Sequence, residues 1–138
     1  MDTISTVYIS RHLCREMLEY ARAQLPLEAC GIVSGDLKGR PLQFFPARNE
    51  LKSPTRYNVH PEDLLCILNQ LEQNQEDIWA IFHSHPESDA YPTKTDLELA
   101  GYPQAYYLIA SLKNPQHPVL RGFIIRDGSI KEINLEEN

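Results

Sequence analysis

The chain has 138 residues, 42% of them hydrophobic, and a formal net charge of -6. That length holds one domain, 1–138, with a real core and no second one, and the composition is globular rather than disordered. Lys and Arg are scattered along an acidic chain, which argues against a nucleic-acid footprint and a polybasic membrane patch.

The first residues, Met1-Asp2-Thr3-Ile4-Ser5-Thr6, lack the basic start and apolar stretch of a signal peptide. No apolar run would cross a bilayer, so a cytoplasmic protein is expected. Val7-Tyr8-Ile9 reads as a short strand, and Ser10 stands where a helix N-cap belongs. Leu13, Met17, Ala21 and Leu25 recur at helical spacing, which predicts an amphipathic helix over 11–24 that Pro26 stops. Cys30-Gly31-Ile32-Val33-Ser34-Gly35 reads as a strand ending at a turn, and residues 41–47 as its hairpin partner.

Residues 48–57 are polar and read as a loop. Pro61 suits the first turn of a helix, with His60 as a local cap and Leu64, Leu65, Leu68 and Leu71 as the buried stripe. Residues 78–83 are a continuous apolar run, as expected of a central strand covered on both faces. After a loop at 86–92 a short helix begins near Thr93, and residues 106–110 form another strand. Strands over 119–126 and 129–134 flank Asp127-Gly128, a strong hairpin signal. The expected fold is an α/β domain with a mixed sheet of six to seven strands and about three helices.

Three cysteines, Cys14, Cys30 and Cys66, are widely spaced. An odd count argues against a disulfide framework and a Cys-rich metal site, and reduced thiols on packed faces are expected. A zinc-ligand role for Cys30 is the weaker alternative.

The chemistry concentrates in His83-Ser84-His85-Pro86, followed by Thr93 and Asp96. Side chains repeat with period two on a strand, so two imidazoles one residue apart leave the same face. Asp96 can add a carboxylate from the following helix. Two His and one Asp leave a fourth tetrahedral position free, which distinguishes a catalytic zinc from a structural one. The rival reading is local: Thr93-Lys94-Thr95-Asp96 also has the shape of a capping box, and the two readings compete for the Asp96 carboxylate. Glu87 and Asp89 follow Pro86 too closely to reach back easily. Ser84 is expected on the opposite face. Two His and a carboxylate also occur in ferrous oxygenases, whereas a zinc deaminase is disfavoured because no P-C-x-x-C follows.

Glu28, His83-Ser84-His85-Pro86, Thr93 and Asp96 together resemble the JAMM motif of the MPN-domain metalloproteases. That pattern is a distant Glu, then H-S/T-H-P, six residues, Ser, two residues, Asp, and the spacing from His83 to Asp96 matches it throughout. Residues 27–35 and 57–64 are also similar to the strand after the family's Glu and the start of its second helix. Thr93 departs from the usual Ser but keeps a hydroxyl, while its methyl stiffens χ1. The resemblance implies a curved mixed sheet of the MPN type and one zinc ion per chain held by His83, His85 and Asp96. It implies Glu28 as the general base and Thr93 as a hydroxyl for the developing oxyanion. The compact size resembles the prokaryotic branch, which lacks the insertions that grip ubiquitin chains. For that branch the implied substrate is an amide bond after the C-terminal Gly-Gly of a ubiquitin-like sulfur-carrier protein, whose extended tail could lie along a sheet edge. A scaffold MPN domain with a weak or inactive metal site is the alternative, and the sequence leaves a homodimer open.

Overall fold

The computed structural model describes residues 5–138; Met1 to Ile4, part of the segment expected not to be a signal peptide, lie outside the described residues. Chain order is β1 (Thr6–Ile9), α1 (Arg11–Gln24), β2 (Cys30–Gly35), β3 (Pro41–Ala47), α2 (Pro61–Gln73), β4 (Asp77–His85), α3 (Lys94–Leu99), β5 (Tyr106–Ser111), β6 (Val119–Arg126) and β7 (Ser129–Glu137). The seven strands form one sheet in the order β1-β7-β6-β5-β4-β2-β3. The sheet is mixed: β4 runs parallel to β5 and antiparallel to β2, and β1 runs parallel to β7.

Local chemistry explains the boundaries. Ser10 caps α1 by accepting from the Leu13 N–H at 3.1 Å. His60 does the same for α2, its Nδ1 accepting from the Glu62 N–H at 3.2 Å, and Pro61 opens the first turn. Asp127 (φ 51°) and Gly128 (φ 75°) both adopt the left-handed conformation that a tight two-residue hairpin turn requires.

Alternation along β4 decides which layer receives which side chain. Ala80 and Phe82 face α1 and pack with Leu13, Met17, Val33, Phe44 and Leu108. Ile81 faces the other layer, where Ile32, Ile67, Leu71, Tyr107, Ile109 and Phe123 form a second core. Burying a side chain such as Phe82 contributes about 2–3 kcal/mol, so neither layer can exchange faces by a one-residue slip without losing most of its core. His83 and His85 share the parity of Ile81 and leave the sheet on the α2 side.

Two expectations need correction. The buried residues of α2 are Ile67 and Leu71, with Leu64 partly buried beside them, while Leu65 is 63% exposed and Leu68 37% exposed. Successive helical residues turn by about 100°, so a face centred on 64, 67 and 71 carries 65 away from the sheet. Cys66 is likewise exposed rather than packed, whereas Cys14 and Cys30 are buried free thiols. Among the described residues no helix is long and apolar enough to cross a membrane.

Candidate metal centre

β4 extends to His85, so both imidazoles emerge from regular strand at its carboxyl end, each 1% exposed. The chain then loops over the sheet and starts α3 at Thr93. The Thr93 hydroxyl accepts from the Asp96 N–H at 3.1 Å, and the Asp96 carboxylate accepts from the Thr93 N–H at 2.9 Å. This capping box holds the Asp96 side chain back toward β4. The same oxygen, Oδ2, lies 3.2 Å from His83 Nε2 and 3.0 Å from His85 Nε2. The two readings of Asp96 therefore do not compete: the cap aims the carboxylate that faces the imidazoles.

The two Nε2 atoms are 3.2 Å apart, closing a triangle with nearly equal sides. Donors set tetrahedrally at about 2.0–2.1 Å from a zinc-sized ion stand roughly 3.3 Å from one another, close to what is found. The protonation pattern points the same way. His85 Nδ1 lies 2.7 Å from the Asp89 carbonyl, which can only accept, so Nδ1 always carries a proton; the neutral ring then keeps its Nε2 lone pair for a cation, and the protonated ring donates from Nε2 to Asp96. A proton shared with Asp96 satisfies one side of the triangle; a cation satisfies all three. These are the residues that fit an ion, and they form the group of potential ligands among the described residues.

The electrostatics reflect a dry, charged pocket. Burial alone would raise the Asp96 carboxyl, but hydrogen bonds from His83 and His85 outweigh it and hold the group well below the ordinary carboxylate range. Burial lowers His83 despite the opposing pull of Asp96. Burial also acts against His85, yet the hydrogen bonds to Asp96 and Asp89 lift it above its usual value.

Glu28 sits between α1 and β2 and is 3% exposed. Its backbone is held on both sides: its N–H donates to the Ser53 carbonyl at 2.9 Å, and its carbonyl accepts from Asn49 Nδ2 at 3.1 Å. Its carboxyl is not satisfied, since Oε1 is buried without a partner. Burial pushes the group up to about 8, with His85 pulling it down and Asp96 pushing it up by smaller amounts. Ala29 pairs with Ser84 on β4, so the neighbouring Glu28 lies beside the end of the strand that carries His85.

The structure therefore brings Glu28, His83, His85, Thr93 and Asp96 to one place. It sets the rivals aside: the Asp89 side chain pairs with Lys113 at 3.3 Å, and Glu87 is exposed. The Cys30 thiol, pushed up to about 12 by burial, turns to the carbonyls of Ala47 and Arg48 and is not part of the donor group. Ser84 does lie on the opposite face, where its hydroxyl accepts from the Ala29 N–H at 2.8 Å and its own N–H donates to the Ala29 carbonyl at 3.0 Å. That clamp fixes the residue after Glu28 against the residue between the two imidazoles. Asn49 and Tyr57 escaped sequence reasoning. Tyr57 stacks on His83 with ring centroids 4.4 Å apart and planes 20° from parallel. An aromatic followed by an H-P helix start was a usable signal for Tyr57; nothing local marked Asn49.

Comparison with known proteins agrees with this arrangement. The family model described as prokaryotic homologs of the JAB domain matches residues 10–121. A protein named CysO-cysteine peptidase from Mycobacterium tuberculosis is 34% identical over 131 residues, covering 94% of this chain and 90% of that one. A protein named desampylase from Haloferax volcanii is 38% identical over 95 residues, covering 67% and 68%. Protein DSY2949 from Desulfitobacterium hafniense, solved in solution, is 34% identical with a TM-score of 0.83, covering 95% of this chain and 93% of that one.

Proposed function

Since the chain belongs to the prokaryotic JAB-domain family, and its relatives include a CysO-cysteine peptidase and a desampylase, we propose that it hydrolyses the amide bond following the C-terminal Gly-Gly of a ubiquitin-like sulfur-carrier protein. The observation that carries this reading is the buried triangle of His83, His85 and Asp96 at 3.0–3.2 Å beside a buried carboxyl, Glu28, with an unpartnered oxygen. His83, His85 and Asp96 would hold one zinc ion. Bound there, the ion supplies Lewis acidity, polarising a carbonyl and bringing the pKa of water from 15.7 toward about 7.

The remaining chemistry belongs to the chain's own residues. Glu28 accepts the proton from the attacking water through its buried carboxylate, whose Oε1 has no other partner. The water oxygen bonds to the scissile carbonyl carbon, the carbon–nitrogen bond breaks, and Glu28 returns the proton to the leaving amine. The Thr93 hydroxyl accepts its cap hydrogen bond through oxygen, so its own proton stays free to donate to the oxyanion. Thr93 is exposed, which supports access of substrate to its hydroxyl.

The relatives' names support the substrate class: one is a CysO-cysteine peptidase, the other a desampylase. The test is intact-mass analysis of a sulfur-carrier protein extended beyond its Gly-Gly. Release after the second Gly, abolished by chelator and by Glu28→Ala, is expected. A zinc-loaded protein that leaves several such carriers intact would sink the substrate assignment.

A further inference from the structure

The two imidazoles of the centre are held by different means. His85 is locked through its far nitrogen, Nδ1, by the Asp89 carbonyl at 2.7 Å. This is the usual way a ligating His is oriented. His83 has no such lock: its Nδ1 is buried and has no partner. What His83 has is the ring of Tyr57, stacked on its face at 4.4 Å.

Tyr57 is itself pinned by one side chain. Asn49 Nδ2 donates to the Arg56 carbonyl at 3.0 Å, immediately before Tyr57. Asn49 Oδ1 accepts from the Asn58 N–H at 3.2 Å, immediately after it. The same Nδ2 also reaches the Glu28 carbonyl at 3.1 Å. Asn49 is only 7% exposed, and its loop is closed by the Asn49–Val59 bridge. One buried amide thus ties the residue carrying the Glu28 carboxyl to the aromatic platform under His83.

We propose that Tyr57 is a positioning residue for His83, and that Asn49 sets its place. Face stacking does for His83 what the Asp89 carbonyl does for His85. An aromatic stack adds to burial by the same order as the net worth of a hydrogen bond. Stacking restrains the tilt of the imidazole without using either nitrogen, which leaves Nε2 directed at Asp96 and His85. The tyrosine hydroxyl plays no part in the stacking, so phenylalanine should serve as well. The inference rests on the metal reading above.

The experiment is zinc affinity, measured by competition with a chromophoric chelator, for the parent, Tyr57→Phe, Tyr57→Leu and Asn49→Asp. The visible spectrum of each protein loaded with Co²⁺ reports ligand geometry independently of turnover. Tyr57→Phe is expected to match the parent in both. Tyr57→Leu is expected to weaken zinc binding about 10–100-fold, the usual cost of losing a group that orients a ligand, and to alter the Co²⁺ spectrum. Asn49→Asp keeps the ring but loses the donors to Glu28 and Arg56, and is expected to shift both readouts in the same direction; it also serves if Tyr57→Leu does not fold. Folded Tyr57→Leu or Asn49→Asp with parental affinity and spectrum would overturn the inference alone. A parent that binds neither ion would overturn the metal reading and this inference with it.

Discussion

Replacing Glu28 by Gln removes the one buried carboxyl of the centre that has no hydrogen-bond partner for Oε1. Its effect on stability depends on pH in a way the structure specifies. In the metal-free protein burial lifts the carboxyl from the ordinary 4.5 to about 8. Between those values the folded state holds a proton that the unfolded chain has released. Stability therefore falls as pH rises through that window, by about 1.4 kcal/mol per unit. Most of the loss lies between pH 5 and pH 8, and it amounts to roughly 3 kcal/mol over that range. Glutamine cannot ionise, so this slope disappears in the variant. Any cost of the amide's own unmet hydrogen bonds is constant with pH and drops out of the comparison.

The assay is thermal or urea unfolding of the metal-free parent and Glu28→Gln at half-unit steps from pH 5 to pH 8. The variant is expected to gain on the parent steadily, reaching a difference in melting temperature on the order of 10 °C near pH 8. Loading with zinc is expected to shrink the gap, because a dication beside the carboxyl favours its charged form. Turnover in the variant is expected to fall about 10²–10⁴-fold with the metal retained. Parallel unfolding curves across the whole range would mean that Glu28 ionises as a solvated carboxyl, and the argument from burial to general base would fail with it.

Asp96→Ala is expected to lose both zinc and activity, together with about 1 kcal/mol from the broken capping box; normal zinc content by elemental analysis would show that Asp96 only caps α3. Thr93→Ser keeps the cap and the hydroxyl while removing a methyl, so peptidase activity equal to or above the parent is expected, and a collapse would place that methyl in the substrate's path. Gly31→Ala is expected to destabilise the protein by about 1–3 kcal/mol, because the added Cβ would stand 2.5 Å from the Phe45 carbonyl oxygen and 2.6 Å from the Phe44 ring. An unchanged urea midpoint for that variant would mean that β3 moves away without cost.

The fold was legible wherever one element carried its own pattern. α1 begins and ends where Ser10 and the apolar spacing place it, and the 127–128 turn joins the strands it was expected to join. The α2 stripe was misread because several leucines crowd one helix and the sheet beneath selects among them; Ile67 at the right angle displaces Leu65. The grouping of His83, His85 and Asp96 was legible for the same local reason. His83 and His85 share a strand face, and Asp96 lies at the third position of a helix whose cap precedes it.

Glu28 is a different case, and it shows where reading a sequence ends. Nothing within several residues of it marks a base; a Glu at a helix–strand junction is ordinarily solvated. Its depth comes from contacts distant in the chain: Asn49 on its carbonyl, Ser53 on its N–H, and Ser84 on the next residue. Ser84 sits between the two imidazoles on the opposite face of β4, so the strand that presents the imidazoles also fixes the backbone carrying the carboxyl. The alternation that sends His83 and His85 to one side of the sheet necessarily sends Ser84 to the other. Shifting β4 by one residue would therefore misplace the two imidazoles and the Glu28 carboxyl together, which makes strand register, rather than any single side chain, the common determinant of the proposed centre.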